Sequence, residues 1–347
     1  MNEAGLTPAA PVAVPRSRIF TMLGLALLAA TLGGLFYYKW GGALRAVNGA
    51  QANGKLSVSP DLILQGGVLT STLHYFQRVW IALVYGVVIG AVVRALVSPK
   101  WVASLLAGKG ARPTLVGAVA GSPLMLCSCC VTPVFTGACE RGAAMGPALS
   151  LMLASPGLNV AALALTFMLL PPQLGVIRLV GAGLIVFALA PAIGKVFGGD
   201  LRRPTTTPAE EDFPMNWQAV GVRLAKSLGY MVLVTVPLVF AGVLISAWLL
   251  PSVTSMPSYG AALAVVGVAL VSTAVALPTF FEIPIALLLL QLGAPPGAAA
   301  ALLIAGPIVN LPSLFVLARE SKVRVAASVA AGVLVVAVLG GLAASLV

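Results

Sequence analysis

Four cysteines occur in the chain, all of them between Gly121 and Asn159, and three of them, Cys127, Cys129 and Cys130, fall within four residues. Thiolates are soft donors that favour Cu(I), Zn(II) and, by the same softness, trivalent arsenic. Adjacent cysteines such as Cys129 and Cys130 close a disulfide only with strain, so free thiols are expected. Ser128 sits inside the cluster and Pro133 follows it. An unwound backbone at this point would aim more than one sulfur at a bound species, which makes Cys127, Cys129 and Cys130 candidate transient metal ligands. No His or Asp accompanies them, against a closed structural zinc site with four ligands. Cys139 stands further on and reads as packing. The plainer reading of any of these thiols is a small buried hydrophobe.

The other candidate chemistry lies in the second half of the chain. Glu282 is the one acidic residue deep in an apolar run, where it must be protonated, paired or facing water; proton coupling or cation binding is the leading role. Thr279 precedes it. Asn159 and Asn310 each follow a proline, Pro156 and Pro307, by three residues, and an asparagine can both donate and accept hydrogen bonds, to a broken helix or to a substrate. Ser128, Asn159, Thr279 and Asn310 therefore join the thiols as candidate substrate contacts. Glu140 and Arg141 read as a solvated pair at an interface, and His74, the single histidine, as an ordinary interfacial side chain. No residue set suggests catalysis and no cofactor motif appears, so a transporter and not an enzyme is expected.

The elements that hold these residues are set by composition. The chain has 347 residues, 60% hydrophobic and 8% charged, with a mean hydropathy of +1.06. That is far from a soluble domain and implies an all-α polytopic membrane protein, its spans windows of about 20 apolar residues. The net charge of +11 is spread between these windows. Such a pattern is the positive-inside signature of cytoplasmic loops and speaks against nucleic acid as a partner. The lipid bilayer is the partner that the composition demands; oligomeric state has no signal in the sequence.

Read in order, 1–18 is a cytoplasmic tail and 19–38 a first transmembrane span, retained as a signal anchor. Residues 39–78 form an extracytoplasmic loop and interfacial helix, 79–194 a first permease half whose opening span covers 79–97, 195–228 a cytoplasmic linker and 229–347 a second half. The stretch 133–159 matches 284–310 without a gap, at a constant offset of 151. Identical pairs include Pro133 with Pro284, Gly142 with Gly293, Pro156 with Pro307 and Asn159 with Asn310. Pro133, Pro156, Pro284 and Pro307 are the expected helix breakers. If each half holds a broken, re-entrant segment plus three full crossings, the halves are inverted repeats and the basic loops all face the cytoplasm. Secondary transporters have this layout, with substrate near the midplane between broken helices.

The cysteine cluster followed by a proline, with SPGLN in the first half and AGPIVN in the second, resembles the ArsP-like (YraQ-type) predicted permeases. The resemblance implies a bacterial inner-membrane permease, some members of the family exporting organic arsenicals and others tied by inference to heavy metals. Cys127 and Cys129 match the family's thiols, Pro133 its following proline, and Pro156, Asn159, Pro307 and Asn310 its paired motifs. Phe280 and Phe281 stand where the arsenical exporters carry a second cysteine. The expected function is export of a thiophilic metal or metalloid species by alternating access, proton-driven because no GxxxxGK[ST] motif is present. Two alternatives stay open: an intramembrane thiol oxidoreductase, disfavoured by strained CxC geometry, and an uptake permease for a small sulfur-containing anion.

Overall fold

The structure, a computed structural model, describes residues 16–53, 68–96, 104–108, 110–201, 217–254, 260–277, 281–291 and 293–346. Every regular element among them is helical. The chain opens with α1 (Arg16–Asn53) and α2 (Val68–Leu96), followed by α3 (Ala111–Gly121), α4 (Thr132–Glu140), α5 (Met145–Gly157), α6 (Val160–Leu169), α7 (Pro172–Leu184) and α8 (Ala190–Phe197). The second half contributes α9 (Trp217–Thr254), α10 (Ala261–Ala274), α11 (Glu282–Gln291), α12 (Pro296–Ile308), α13 (Leu311–Glu320) and α14 (Val323–Ala344). Three stretches among the described residues are long and apolar enough to cross a membrane alone: Met145–Leu169, Pro172–Asp200 and Val323–Ala344. The pair α12 and α13, bent by 42° at their break, is long and apolar enough only if the two helices are taken together. The protein is an all-α polytopic membrane protein.

The duplication is visible in the element boundaries. At the offset of 151, α5 and α6 fall on α12 and α13 at both ends, and α7 starts where α14 does. Gly142 and Gly293, one turn before α5 and α12, are the glycines with positive φ among the described residues, at 91° and 80°; only a residue without Cβ adopts that backbone cheaply. Packing repeats as well: α3 lies on α5 as α10 lies on α12, and α2, α5 and α7 each touch their own counterparts α9, α12 and α14.

Each half carries a helix–break–helix segment. In the first, α3 gives way to a short 3-10 turn, Ser122–Leu124, and then to non-helical backbone until Thr132. In the second, α10 ends at Ala274 and α11 begins at Glu282. With 11 and 9 residues, α3 and α4 span about 16 and 14 Å at 1.5 Å per residue, so neither crosses a core of about 30 Å.

The helix breakers work differently from expectation. Pro133 and Pro284 do not kink anything: they sit in the first turns of α4 and α11, where the missing N–H has no intrahelical partner to lose. Pro156 and Pro307 are each the last residue but one of α5 and α12. There the new helix is opened by Asn159 and Asn310. A further proline, Pro191, is passed by a π-helical turn at Ile185–Leu189, which joins α7 to α8.

Helix ends fall beyond three of the expected segment limits. The first helix does not stop at residue 38: α1 runs 38 residues to Asn53. No proline interrupts Arg16–Asn53, and the four alanines of GGALRAVNGAQAN offset part of the cost of its three glycines and two asparagines. The interfacial helix expected before residue 78 and the span from 79 to 97 are one helix, α2, again without a proline. The linker 195–228 is narrower than its polar composition suggests, because α8 continues to Phe197 and α9 starts at Trp217. Residues 1–15 of the expected tail lie outside the described residues.

Candidate functional site

The thiol loop follows from two backbone features. Met125 takes a left-handed conformation, φ 50°, which turns the chain out of the preceding helical turn. The carbonyl of Cys127 then accepts from the backbone N–H groups of Cys130 (3.0 Å) and Val131 (3.1 Å), closing a tight turn. Thr132 Oγ1 donates to the Cys129 carbonyl at 2.7 Å, fixing the turn to the start of α4. Ser155 of α5 anchors the other end: its Oγ accepts from Leu126 N–H at 3.1 Å and lies 3.4 Å from the Leu126 carbonyl.

This turn gathers three sulfurs. Cys127 Sγ lies 3.1 Å from Cys129 Sγ and 2.6 Å from Cys130 Sγ, and the last two are 3.8 Å apart. All three side chains are buried and no cysteine among the described residues is in a disulfide. With metal–sulfur bonds of about 2.3 Å, a trigonal ion holds its sulfurs about 4 Å apart. The Cys129–Cys130 separation fits, and Cys127 would swing out by about 1.5 Å. The donor set is purely sulfur, with no carboxylate or imidazole in the cluster. Ser128, in the same turn, is buried too. Cys139, on the far end of α4, lies outside the group and is buried by packing.

Close approach of α2 makes the burial possible. A Cβ on Gly86 would lie 2.0 Å from the Cys130 carbonyl oxygen, and one on Gly90 2.4 Å from that of Pro133. The Gly86-to-Gly90 spacing is the small-xxx-small pattern that lets backbones touch within a membrane.

Glu282, the first residue of α11, is 2% exposed and bonded to Arg178 of α7, Nη2 to Oε1 at 2.8 Å. Arg178 Nη1 donates to Thr166 Oγ1 at 2.8 Å, and that hydroxyl donates to the Ala162 carbonyl at 2.7 Å. Of the three states open to Glu282 in the sequence, the structure shows pairing. Arg178 is not among the residues whose type and spacing alone suggest a site. A signal is present nonetheless, since it is the one basic residue within the apolar stretch of α7, and a buried cation there needs a partner.

Asn159 and Asn310 are helix caps. Asn159 Oδ1 accepts from Ala162 N–H and Asn310 Oδ1 from Ser313 N–H, both at 3.1 Å. Ser313 returns the bond to the Asn310 N–H, completing a capping box. The Nδ2 groups of both asparagines are buried with no hydrogen-bond partner among the described residues. Both caps sit where α5 meets α12, and a Cβ on Gly157 would touch Ile308 at 3.1 Å.

The two breaks share a core. Ala276 belongs to the buried cluster that holds the three thiols, and Met125 to the one that holds Val275, Leu277 and Ile283. Thr279 lies outside the described residues. Arg141 departs from its expected solvated position: it is 7% exposed, at the C-terminal end of α4. His74 is exposed, 3.3 Å from Gln77 Oε1.

Fold and site together describe an all-α polytopic membrane protein with a broken segment in each half, both breaks contributing residues to the same buried clusters. Residues 65–346 match the ArsP_1 family, described as predicted permeases, and the chain belongs to that family. It is 30% identical to UPF0718 protein YraQ of Escherichia coli (strain K12) over 300 residues, 83% of this chain and 85% of that protein. To UPF0718 protein MJ0584 of Methanocaldococcus jannaschii it is 34% identical over 82 residues, 24% of this chain and 22% of that protein. No solved structure matches the chain.

Proposed function

We propose that the protein is a secondary transporter that exports a thiophilic metal or metalloid species across the bacterial inner membrane by alternating access. The observation that carries this reading is the all-sulfur cluster of Cys127, Cys129 and Cys130, whose donor atoms lie within 4.8 Å of one another in the break of a helix. Soft donors without a hard ligand select a soft ion, and three thiols without a fourth ligand hold it reversibly. The matched element boundaries of 79–194 and 229–347 support two inverted repeats with re-entrant breaks. Their substrate would reside at the midplane, with Ser128, Thr279 and the free amides of Asn159 and Asn310 around it. Glu282 serves as the coupling carboxylate: a proton on it competes with Arg178 for the same charge.

The test is transport into inverted vesicles under an imposed proton gradient, with arsenite, methylarsenite, Cu(I) and Zn(II) as substrates. Accumulation of at least one, lost in Cys127→Ser, is expected. Absence of transport for all four defeats the proposal.

One observation favours a second reading, an intramembrane thiol oxidoreductase. Cys127 and Cys130 have the C-x-x-C spacing, and their sulfurs lie in one buried cluster. Their oxidation would form one S–S bond and release two protons and two electrons to a quinone. Alkylation with and without reductant separates the readings, since a transporter keeps its thiols reduced through turnover.

A further inference from the structure

A cavity of about 790 Å³ opens between the start of α3, the turn joining α4 to α5 and the end of α8, away from the thiols and from the Arg178–Glu282 pair. Two cations line it, Arg112 and Lys195. Both are exposed, and neither has a charged or hydrogen-bonding partner among the described residues. No Asp or Glu lines the cavity. The N-terminal ends of α3 and α5 also open on it without side-chain caps, adding the partial positive charge of their unbonded amides.

The remaining wall is apolar, and part of it faces outward: Leu115 is 53% exposed, Phe187 47% and Val196 73%. On a membrane protein such surfaces face acyl chains. Two uncompensated cations below an apolar wall, at the end of a span and next to basic connections, match a ligand with an anionic head and a hydrocarbon tail. We propose that this cavity is a binding site for an anionic phospholipid, its phosphate held between Arg112 and Lys195 and its chains against Leu115, Phe187 and Val196. Basic pockets between transmembrane helices bind such head groups by charge and shape together. The inference is independent of what the thiols carry.

The full chain, purified in a neutral maltoside detergent, is titrated with dioleoylphosphatidylglycerol, dioleoylphosphatidylcholine or inorganic phosphate, and bound lipid is counted by native mass spectrometry. Wild type should retain phosphatidylglycerol over phosphatidylcholine, and Arg112→Lys with Lys195→Arg should do the same. Arg112→Gln with Lys195→Gln should bind it about 30-fold more weakly, at about fivefold per charge. Gly199→Leu keeps both charges but projects into the cavity, where a Cβ meets no atom within 4 Å; it should lose the lipid as well, and it decides the matter if the double Gln variant does not fold. Wild-type affinity in either variant overturns the proposal. So does inorganic phosphate displacing the lipid at low millimolar concentration, which would make this a site for soluble oxyanions.

Discussion

Arg178 and Glu282, 104 residues apart in sequence, form a 2.8 Å ion pair that joins the first half of the chain to the break of the second. At side-chain exposures of 1% and 3% neither charge is shared with solvent. Taking two charges out of water is costly, and their attraction repays it only when both partners are present. Arg178→Met or Glu282→Gln alone should therefore destabilise the protein by about 3–5 kcal/mol, while Arg178→Met with Glu282→Met recovers most of that loss. Under the proposed coupling role the double variant still fails to transport against a gradient. Unfolding midpoints and proton-driven flux measure the two effects separately, and single variants as stable as wild type would show that the pair bears no weight.

The thiol turn gives a graded prediction. Cys127, Cys129 and Cys130 each supply one sulfur, whereas Cys139 packs outside the group. Replacement of any of the three by Ser should abolish tight binding of a soft ion, and Cys139→Ser should leave it within error. Ser155→Ala removes the hydroxyl that holds Leu126, so the thiols remain but their aim loosens. An affinity loss of about 10- to 100-fold is expected, as for other residues that orient ligands from behind. Calorimetric titration with methylarsenite or Cu(I) reads all five variants.

Backbone contact between α2 and the turn predicts a steric effect without any change of chemistry. Gly86→Ala places a Cβ 2.0 Å from the Cys130 carbonyl oxygen, a distance that forces one of the two segments to move. Destabilisation of about 1–3 kcal/mol is expected from overpacking, together with faster alkylation of Cys130 as the turn lifts from α2. Gly183→Ala is the matched control, since a Cβ there meets nothing within 4 Å. An unchanged alkylation rate in Gly86→Ala would mean that the turn is held by α5 alone.

Much of this was legible in the sequence because it rests on local rules. Matched Pro, Gly and Asn at one offset revealed the repeat, since those residue types mark helix ends and positive φ regardless of what surrounds them. Three cysteines in four residues needed only a turn to become a cluster. Other features depended on partners distant in the chain. Arg178 is unremarkable within α7 until α11 brings Glu282 to it, and no periodicity reports a contact across 104 residues. Lys322 and Arg324 are basic residues at the start of α14, and the structure ties both to Asp200 just beyond α8, a link that no local pattern reports. The extension of α1 to Asn53 is hidden for a different reason: Gly and Asn favour loops, yet an unbroken, proline-free run carries the helix on.

Asn159 and Asn310 allow helix repair to be separated from substrate contact, because each uses its two side-chain atoms differently. Oδ1 caps a helix, while Nδ2 is buried with no partner among the described residues. A buried donor left unsatisfied costs about 1–3 kcal/mol, so each amide gains from a water or, under the proposed function, from the substrate. Serine is as good a cap as asparagine but has no amide, whereas alanine has neither function. Asn159→Ser and Asn310→Ser should fold with wild-type midpoints, and Asn159→Ala and Asn310→Ala should lose about 0.5–2 kcal/mol. If the amides donate to the substrate, the serine variants raise KM by about fivefold to tenfold, the worth of one hydrogen bond. A wild-type KM in both serine variants would assign the two asparagines to holding the helices open and nothing more.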